Sequence, residues 1–159
     1  MSENRGPVSV SVPAGGPPGY PAIGNLIADY AELVDDGDFA GVGALLGDAT
    51  FEGSGAPVTG AGAIEQLLRN TVIVYDDGTP RTRHVTTNVV IEADEEAGTA
   101  LARAYFTVLQ ALPDFPLQPV VSGRYRDRFE RRNGQWIFAE RRVLIDLVGD
   151  VSRHLRRQR

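Results

Sequence analysis

The chain has 159 residues, a net charge of -5, two histidines, no cysteine and no lysine, so all 16 basic residues are arginines. That length suits a single domain able to build its own core. The lack of cysteine excludes a disulfide framework, cysteine-ligated zinc and a thiol nucleophile, and two lone histidines exclude a His-rich metal cluster.

The N-terminal stretch, rich in Gly, Pro and Ser, has neither the charged start nor the apolar run of a signal peptide. It reads as a flexible leader over residues 1–19 that could lie along a partner subunit. From Pro21 onward Ile23, Leu26, Ile27, Tyr30, Leu33 and Val34 recur at helical spacing, and Gly37 ends the helix. A short second helix follows, with Asp38 as its N-cap and Gly47 as its terminator. ATFEGSG reads as a brief strand. AGAIEQLLRNTVIVY (residues 61–75) then reads as a third helix, amphipathic through Ile64, Leu67, Leu68 and Val72, and closes at the turn DDGTP.

After residue 80 the apolar period changes from 3.6 to 2. TRHVTTNVVIEAD, TALARAYFTVLQAL, VVSGRYRDRFERR and QWIFAERRVLIDLV read as four long strands, with a proline-rich loop PDFPLQP and a tight hairpin at RNG. Helices first and long antiparallel strands afterwards is the α+β pattern. Residues 20–149 form the domain on this reading, and the basic tail 150–159 is a short helix or a solvated end. No apolar run approaches the ~20 residues of a membrane span, and the default compartment is cytoplasmic. Residues 1–80 carry a net -9 and residues 81–159 a net +4. The arginines are interleaved with acids and apolar residues, so no nucleic-acid footprint appears.

Strand alternation then asks which side chains point inward. In the last strand Ile137, Ala139, Val143, Ile145 and Leu147 make one apolar face with Arg141 in its middle. A buried arginine there must meet a carboxylate or line a cavity. A β-bulge would exchange Arg141 for Arg142, so both stay open. In the preceding strand Tyr125 and Asp127 share the less polar face, and Asp127 is a candidate partner for the inward arginine. Arg124, Arg126 and Arg128 face solvent. In the first long strand His84, Thr86, Asn88 and Val90 share a face. A single histidine is more often structural than catalytic, but imidazole is also the side chain best suited to proton transfer near neutral pH. Tyr30 and Asp35 lie ~140° apart on an ideal helix, and reach one space only if the helix ends or tilts near Asp35.

Taken together, IADYAELVDDGDFAGVGALL, TRHVTTNVVIE and GRYRDRFERRNGQWIFAERRVLID resemble the SnoaL-like branch of the nuclear transport factor 2-like superfamily over roughly residues 21–148. The resemblance implies a cone-shaped fold, in which a curved antiparallel sheet and three N-terminal helices enclose an apolar pocket. The nearest pattern is similar to bile-acid 7α-dehydratase, scytalone dehydratase and hexachlorocyclohexane dehydrochlorinase. In those enzymes a Tyr or Lys and an Asp of the first helix stand beside a strand His and an Arg of the last strand. Tyr30, Asp35, His84 and Arg141 occupy the matching positions. By resemblance, Asp35 fixes the tautomer of His84, His84 takes a proton, Tyr30 donates to a leaving oxygen or enolate, and Arg141 supports negative charge. Asn88, Tyr105, Tyr125 and Asp127 would contact substrate. No metal or organic cofactor is implied, the expected partner is a small apolar molecule, and a homodimer or homotrimer is expected. A polyketide or terpenoid cyclase or isomerase is the alternative, which would place a carboxylate, Asp127, near the middle of the pocket. A binding protein without chemistry would turn Asp35 to solvent and seal His84 among core side chains.

Overall fold

The apolar stripe of the first segment forms α1 (Gly19–Asp35), burying Ile23, Ile27, Tyr30 and Val34 on one side. This is a computed structural model, and it describes residues 18–157; the expected leader lies outside them except for its last two residues, and Gly19 already belongs to α1. α2 (Phe39–Leu46) starts where the sequence placed it: Asp38 accepts a hydrogen bond from the Gly41 N–H at 2.8 Å, and Gly47 follows with φ 55°. α3 (Ala61–Thr71) stops short of the expected end. Val72 leaves the helix and bridges Leu155 of the C-terminal segment.

The strands are β1 (Thr50–Glu52), β2 (Val58–Thr59), β3 (Thr82–Asp94), β4 (Thr99–Leu112), β5 (Phe115–Arg132) and β6 (Gln135–Val148). They form one curved, open sheet in the order β2-β1-β6-β5-β4-β3. With the three helices this is the expected α+β cone, except that β1 joins β6 in parallel, which makes the sheet mixed. The proline-rich segment expected as a loop is mostly strand, with β5 starting at Phe115. At the β5–β6 hairpin Asn133 and Gly134 both have positive φ, as a type I′ turn requires.

Two bulges set which side chains face inward. At Ala139 the β5–β6 register shifts, so that Phe129 opposes Phe138 while Arg128 opposes Glu140. Trp136 and Phe138 are therefore buried before the bulge and Arg141 after it, which corrects the expected unbroken face through Ile137 and Ala139. Arg141 is 0% exposed whereas Arg142 is exposed and pairs with Glu52, which decides between the two arginines. A second bulge lies in β3 between Thr87 and Val90, with Asn88 at φ 54°. Inside the cone, α1 and α2 pack on the inner sheet face and α3 packs on α2, around a core that includes Phe39, Val42, Leu46, Ile64, Phe106, Phe129 and Phe138.

Candidate functional site

Asp35 is the last residue of α1, so the condition for it to share a space with Tyr30 is met by the helix ending there. Gly37 makes this possible. Its φ is 73°, and a Cβ on it would stand 2.2 Å from the Gly78 carbonyl oxygen, so only glycine lets the helix end abut the turn that leads into β3. The carboxylate then meets the start of that strand. Asp35 Oδ2 accepts from the backbone N–H of His84 at 2.7 Å, and Oδ1 accepts from the Thr82 hydroxyl at 2.9 Å. The ring Nδ1 of His84 lies 2.6 Å from the same Oδ1. Burial pushes the Asp35 carboxyl up, but the bonds from the His84 ring and backbone and from Thr82, with the charge of His84, outweigh it and hold it below the usual carboxylate range. An ionised carboxylate is only an acceptor, so Nδ1 carries the proton and Nε2 is left for chemistry. The side chains of His84 and Asp35 are 8% and 11% exposed.

A second group surrounds Arg141. Its Nε and Nη2 donate to Asp127 Oδ1 and Oδ2 at 2.9 and 2.8 Å, a two-pronged pair shielded from water. The guanidinium lies 4.2 Å from the Tyr30 ring centre and 3.9 Å from that of Tyr125, held between two aromatic faces. Phe106 stacks on Tyr125 at 4.6 Å. Space for this stack comes from Gly123, where a Cβ would meet the Leu144 carbonyl oxygen at 2.0 Å and the Phe106 ring at 2.9 Å. Burial opposes the charge on Arg141, yet Asp127 more than compensates and raises its pKa further. The third guanidinium nitrogen, Nη1, is buried and has no partner among the described residues. Burial also raises Tyr30 and Tyr125 against the opposing charge of Arg141, with the Asp127 and Asp35 carboxylates adding to the rise. Both phenols stay protonated. Tyr30 and Asp35 sit on the same helix, α1, so that helix joins the two groups.

Two expected substrate contacts are not part of this interior. Asn88 occupies the β3 bulge and is exposed, because the left-handed turn there breaks the alternation that would have put it beside His84. Tyr105 opposes Arg124 and Thr87 on the outer sheet face and is 52% exposed. Tyr125 and Asp127 do face inward, but both oxygens of Asp127 are taken up by Arg141. A concavity of about 290 Å³ opens on the outer sheet face, between Arg103, Arg126 and Arg142, and not beside His84.

Strand periodicity could not have found one further neighbour, His154. The tail, expected as a solvated end or short helix, is packed. His154 is 5% exposed, and its ring centre lies 6.4 Å from that of His84 at an interplanar angle of 70°. It follows a Gly-Asp break after β6, where no alternation or helical pattern assigns a direction. Among the described residues no three His, Cys, Asp or Glu side chains gather as a metal site, and no helix is long and apolar enough to cross a membrane.

A family model described as a SnoaL-like domain matches residues 20–142. A search of the curated proteins gives no match. Solved structures share the fold. A protein of unknown function from Mycobacterium tuberculosis is 26% identical over 83% of this chain and 74% of that one, with a TM-score of 0.67. An NTF2-like protein with a cystatin-like fold from Novosphingobium aromaticivorans is 21% identical over 84% of this chain and 86% of that one, with a TM-score of 0.68. A protein described as a candidate scytalone dehydratase from the same organism is 23% identical over 82% of this chain and 86% of that one, with a TM-score of 0.66.

Proposed function

The chain belongs to the SnoaL-like domain family, and on that premise we propose that it is a cofactor-independent lyase of the dehydratase type. It acts on a small, largely apolar, hydroxylated molecule. The reading rests on one observation: His84 Nδ1 bonded to the Asp35 carboxylate at 2.6 Å, in a largely buried setting. That bond fixes the tautomer and stabilises the imidazolium that forms when Nε2 takes a proton.

In the elimination, Nε2 of His84 removes a proton from the carbon next to an activating carbonyl or ring. The C–H pair becomes the new double bond as the β C–O bond breaks. The departing oxygen accepts a hydrogen bond from the Tyr30 phenol, takes the proton from the His84 imidazolium and leaves as water, which returns His84 to its neutral form. Arg141 carries the developing oxyanion through Nη1, the guanidinium nitrogen with no partner among the described residues. One positioned acid or base gives ~10²–10⁴-fold, so the substrate must already be activated.

Two alternatives fit less well. A cyclase using Asp127 needs a free carboxylate, and Asp127 is bound at both oxygens. A purely binding role predicts a sealed His84, which is 8% exposed, and a solvent-facing Asp35, but Asp35 instead accepts three hydrogen bonds from Thr82 and His84. A homodimer or homotrimer through the outer sheet face accompanies the proposal, supported by the exposed Leu101, Tyr105 and Leu147; sedimentation equilibrium measures it. The activity is tested by incubating a panel of hydroxysteroids and β-hydroxyacyl thioesters with the protein and following loss of water by mass spectrometry. Turnover by the wild type and none by His84→Ala is expected. Equal turnover by both would sink the mechanism.

A further inference from the structure

The elimination uses one of the two histidines. The other sits on the segment after β6, which is fastened along its length. The Gly149 N–H donates to the Val120 carbonyl at 2.8 Å, and Gln110 Nε2 donates to the Arg153 carbonyl at 2.9 Å. The Tyr75 hydroxyl donates to that same carbonyl. The Ile73 N–H donates to the His154 carbonyl at 2.9 Å, and the Arg156 N–H to the Thr71 carbonyl at 2.8 Å. The segment is thus a strap tying the end of β6 to β4 and to the chain after α3, and it delivers the His154 ring to His84.

We propose that His154 is the second imidazole of the site, and that His84 and His154 grip one oxygen atom between them, the substrate hydroxyl that leaves as water. Three observations carry this. The Nδ1 of His154 is buried without a partner among the described residues, a loss of ~1–3 kcal/mol that packing alone gives no reason to keep. The ring centres, 6.4 Å apart, are too distant for a direct N–H···N bond, which needs ~2.9 Å between nitrogens, yet near enough for one oxygen to bridge. Asp35 already occupies Nδ1 of His84, so the bridge falls to Nε2, the nitrogen that exchanges the proton.

The charged or titratable groups bearing on His154 are His84 of β3 and Asp35 of α1, while the neighbouring Arg153 is turned to Asp114. Burial, helped by the charge of His84 and opposed by that of Asp35, depresses His154 to about 4. At neutral pH it therefore has one donor and one acceptor nitrogen, and its donor can hold a hydroxyl oxygen whose own proton turns to Nε2 of His84. In the unliganded protein the bridging oxygen is that of water.

The inference rests on the acid–base reading of the site, but its test needs no turnover. Imidazole ¹⁵N NMR spectra of the full chain are compared for the wild type, His154→Leu and His154→Gln, with water as the probe. A Leu side chain removes the bridge, whereas the Gln amide can keep it. The expected result is a His84 Nε2 resonance displaced by several ppm in His154→Leu and restored in His154→Gln. A resonance unmoved in both variants, or moved equally in both, overturns the proposal. If His154→Leu does not fold, the wild type decides: His154 Nδ1 must resonate as a hydrogen-bonded nitrogen, and a bare-nitrogen shift overturns the proposal. Failure to find a dehydrated product would leave this result intact, so the two failures are separable.

Discussion

Asp127→Asn is the sharpest probe of the interior, because it keeps the shape of the side chain and removes its charge. Arg141 is 0% exposed and draws two bonds of 2.9 and 2.8 Å from that carboxylate. Removing one member of a buried ion pair costs ~3–5 kcal/mol, since the remaining charge is left uncompensated. The Tyr30 and Tyr125 faces cannot substitute, at ~0.5–2 kcal/mol each. For a domain of this size, ~2–4 °C of melting temperature per kcal/mol predicts a fall of roughly 6–20 °C. Urea unfolding followed by the fluorescence of the single tryptophan, Trp136, measures the loss. The double variant Asp127→Leu/Arg141→Met removes both charges, and should fall within ~1 kcal/mol of the wild type or exceed it. If Asp127→Asn lost less than ~1 kcal/mol, or the double variant lost as much as the single, the reasoning about a mutually dependent buried pair would be refuted.

Gly123→Ala should destabilise by ~1–3 kcal/mol or prevent folding, because its Cβ would lie 2.0 Å from the Leu144 carbonyl oxygen; urea titration reads this, and a neutral result would contradict the close strand approach. On the outer face Arg103, Arg126 and Arg142 stand directly opposite one another across three strands. Although Arg142 also pairs with Glu52, Arg126→Glu should gain ~0.2–1 kcal/mol in the same assay, and a loss would refute repulsion along this row. For pH, His154 is depressed to about 4 in the fold from an ordinary 6.5. Between those values the unfolded chain binds a proton that the folded chain refuses, so stability falls as pH falls through the window. The upper bound of this loss is ~3 kcal/mol. Denaturation midpoints at pH 7 and pH 4.5 should converge in His154→Gln relative to the wild type.

The long elements were legible because each has one strong period. Three of the four long strands match their expected limits, and α2 has both of its expected ends. The Asp35–His84 pairing was reachable only through resemblance, since spacing on a helix does not reveal where the helix stops. Arg141 was visible as a charge on an apolar face, although the face itself was misdrawn. Two of the failures share a cause. Alternation carries phase only until a bulge, so Asn88 and the residues before Arg141 lie on the other side from the one expected. Tyr105 differs: Phe106 takes the inner face, and unbroken alternation turns Tyr105 outward. His154 lies past a break with no period at all, and only the fastening of the strap by Tyr75, Gln110 and the chain after α3 determines its position.

The central claim is that Asp35 holds the proton of His84 on Nδ1 and leaves Nε2 as the base. Tautomer-resolved ¹⁵N NMR of His84 at neutral pH, in the wild type and in Asp35→Asn, tests it most directly. The account predicts a protonated Nδ1 with a strongly deshielded proton in the wild type, and loss of that deshielded signal in Asp35→Asn. A wild-type His84 with its proton on Nε2 and a bare Nδ1 would contradict it.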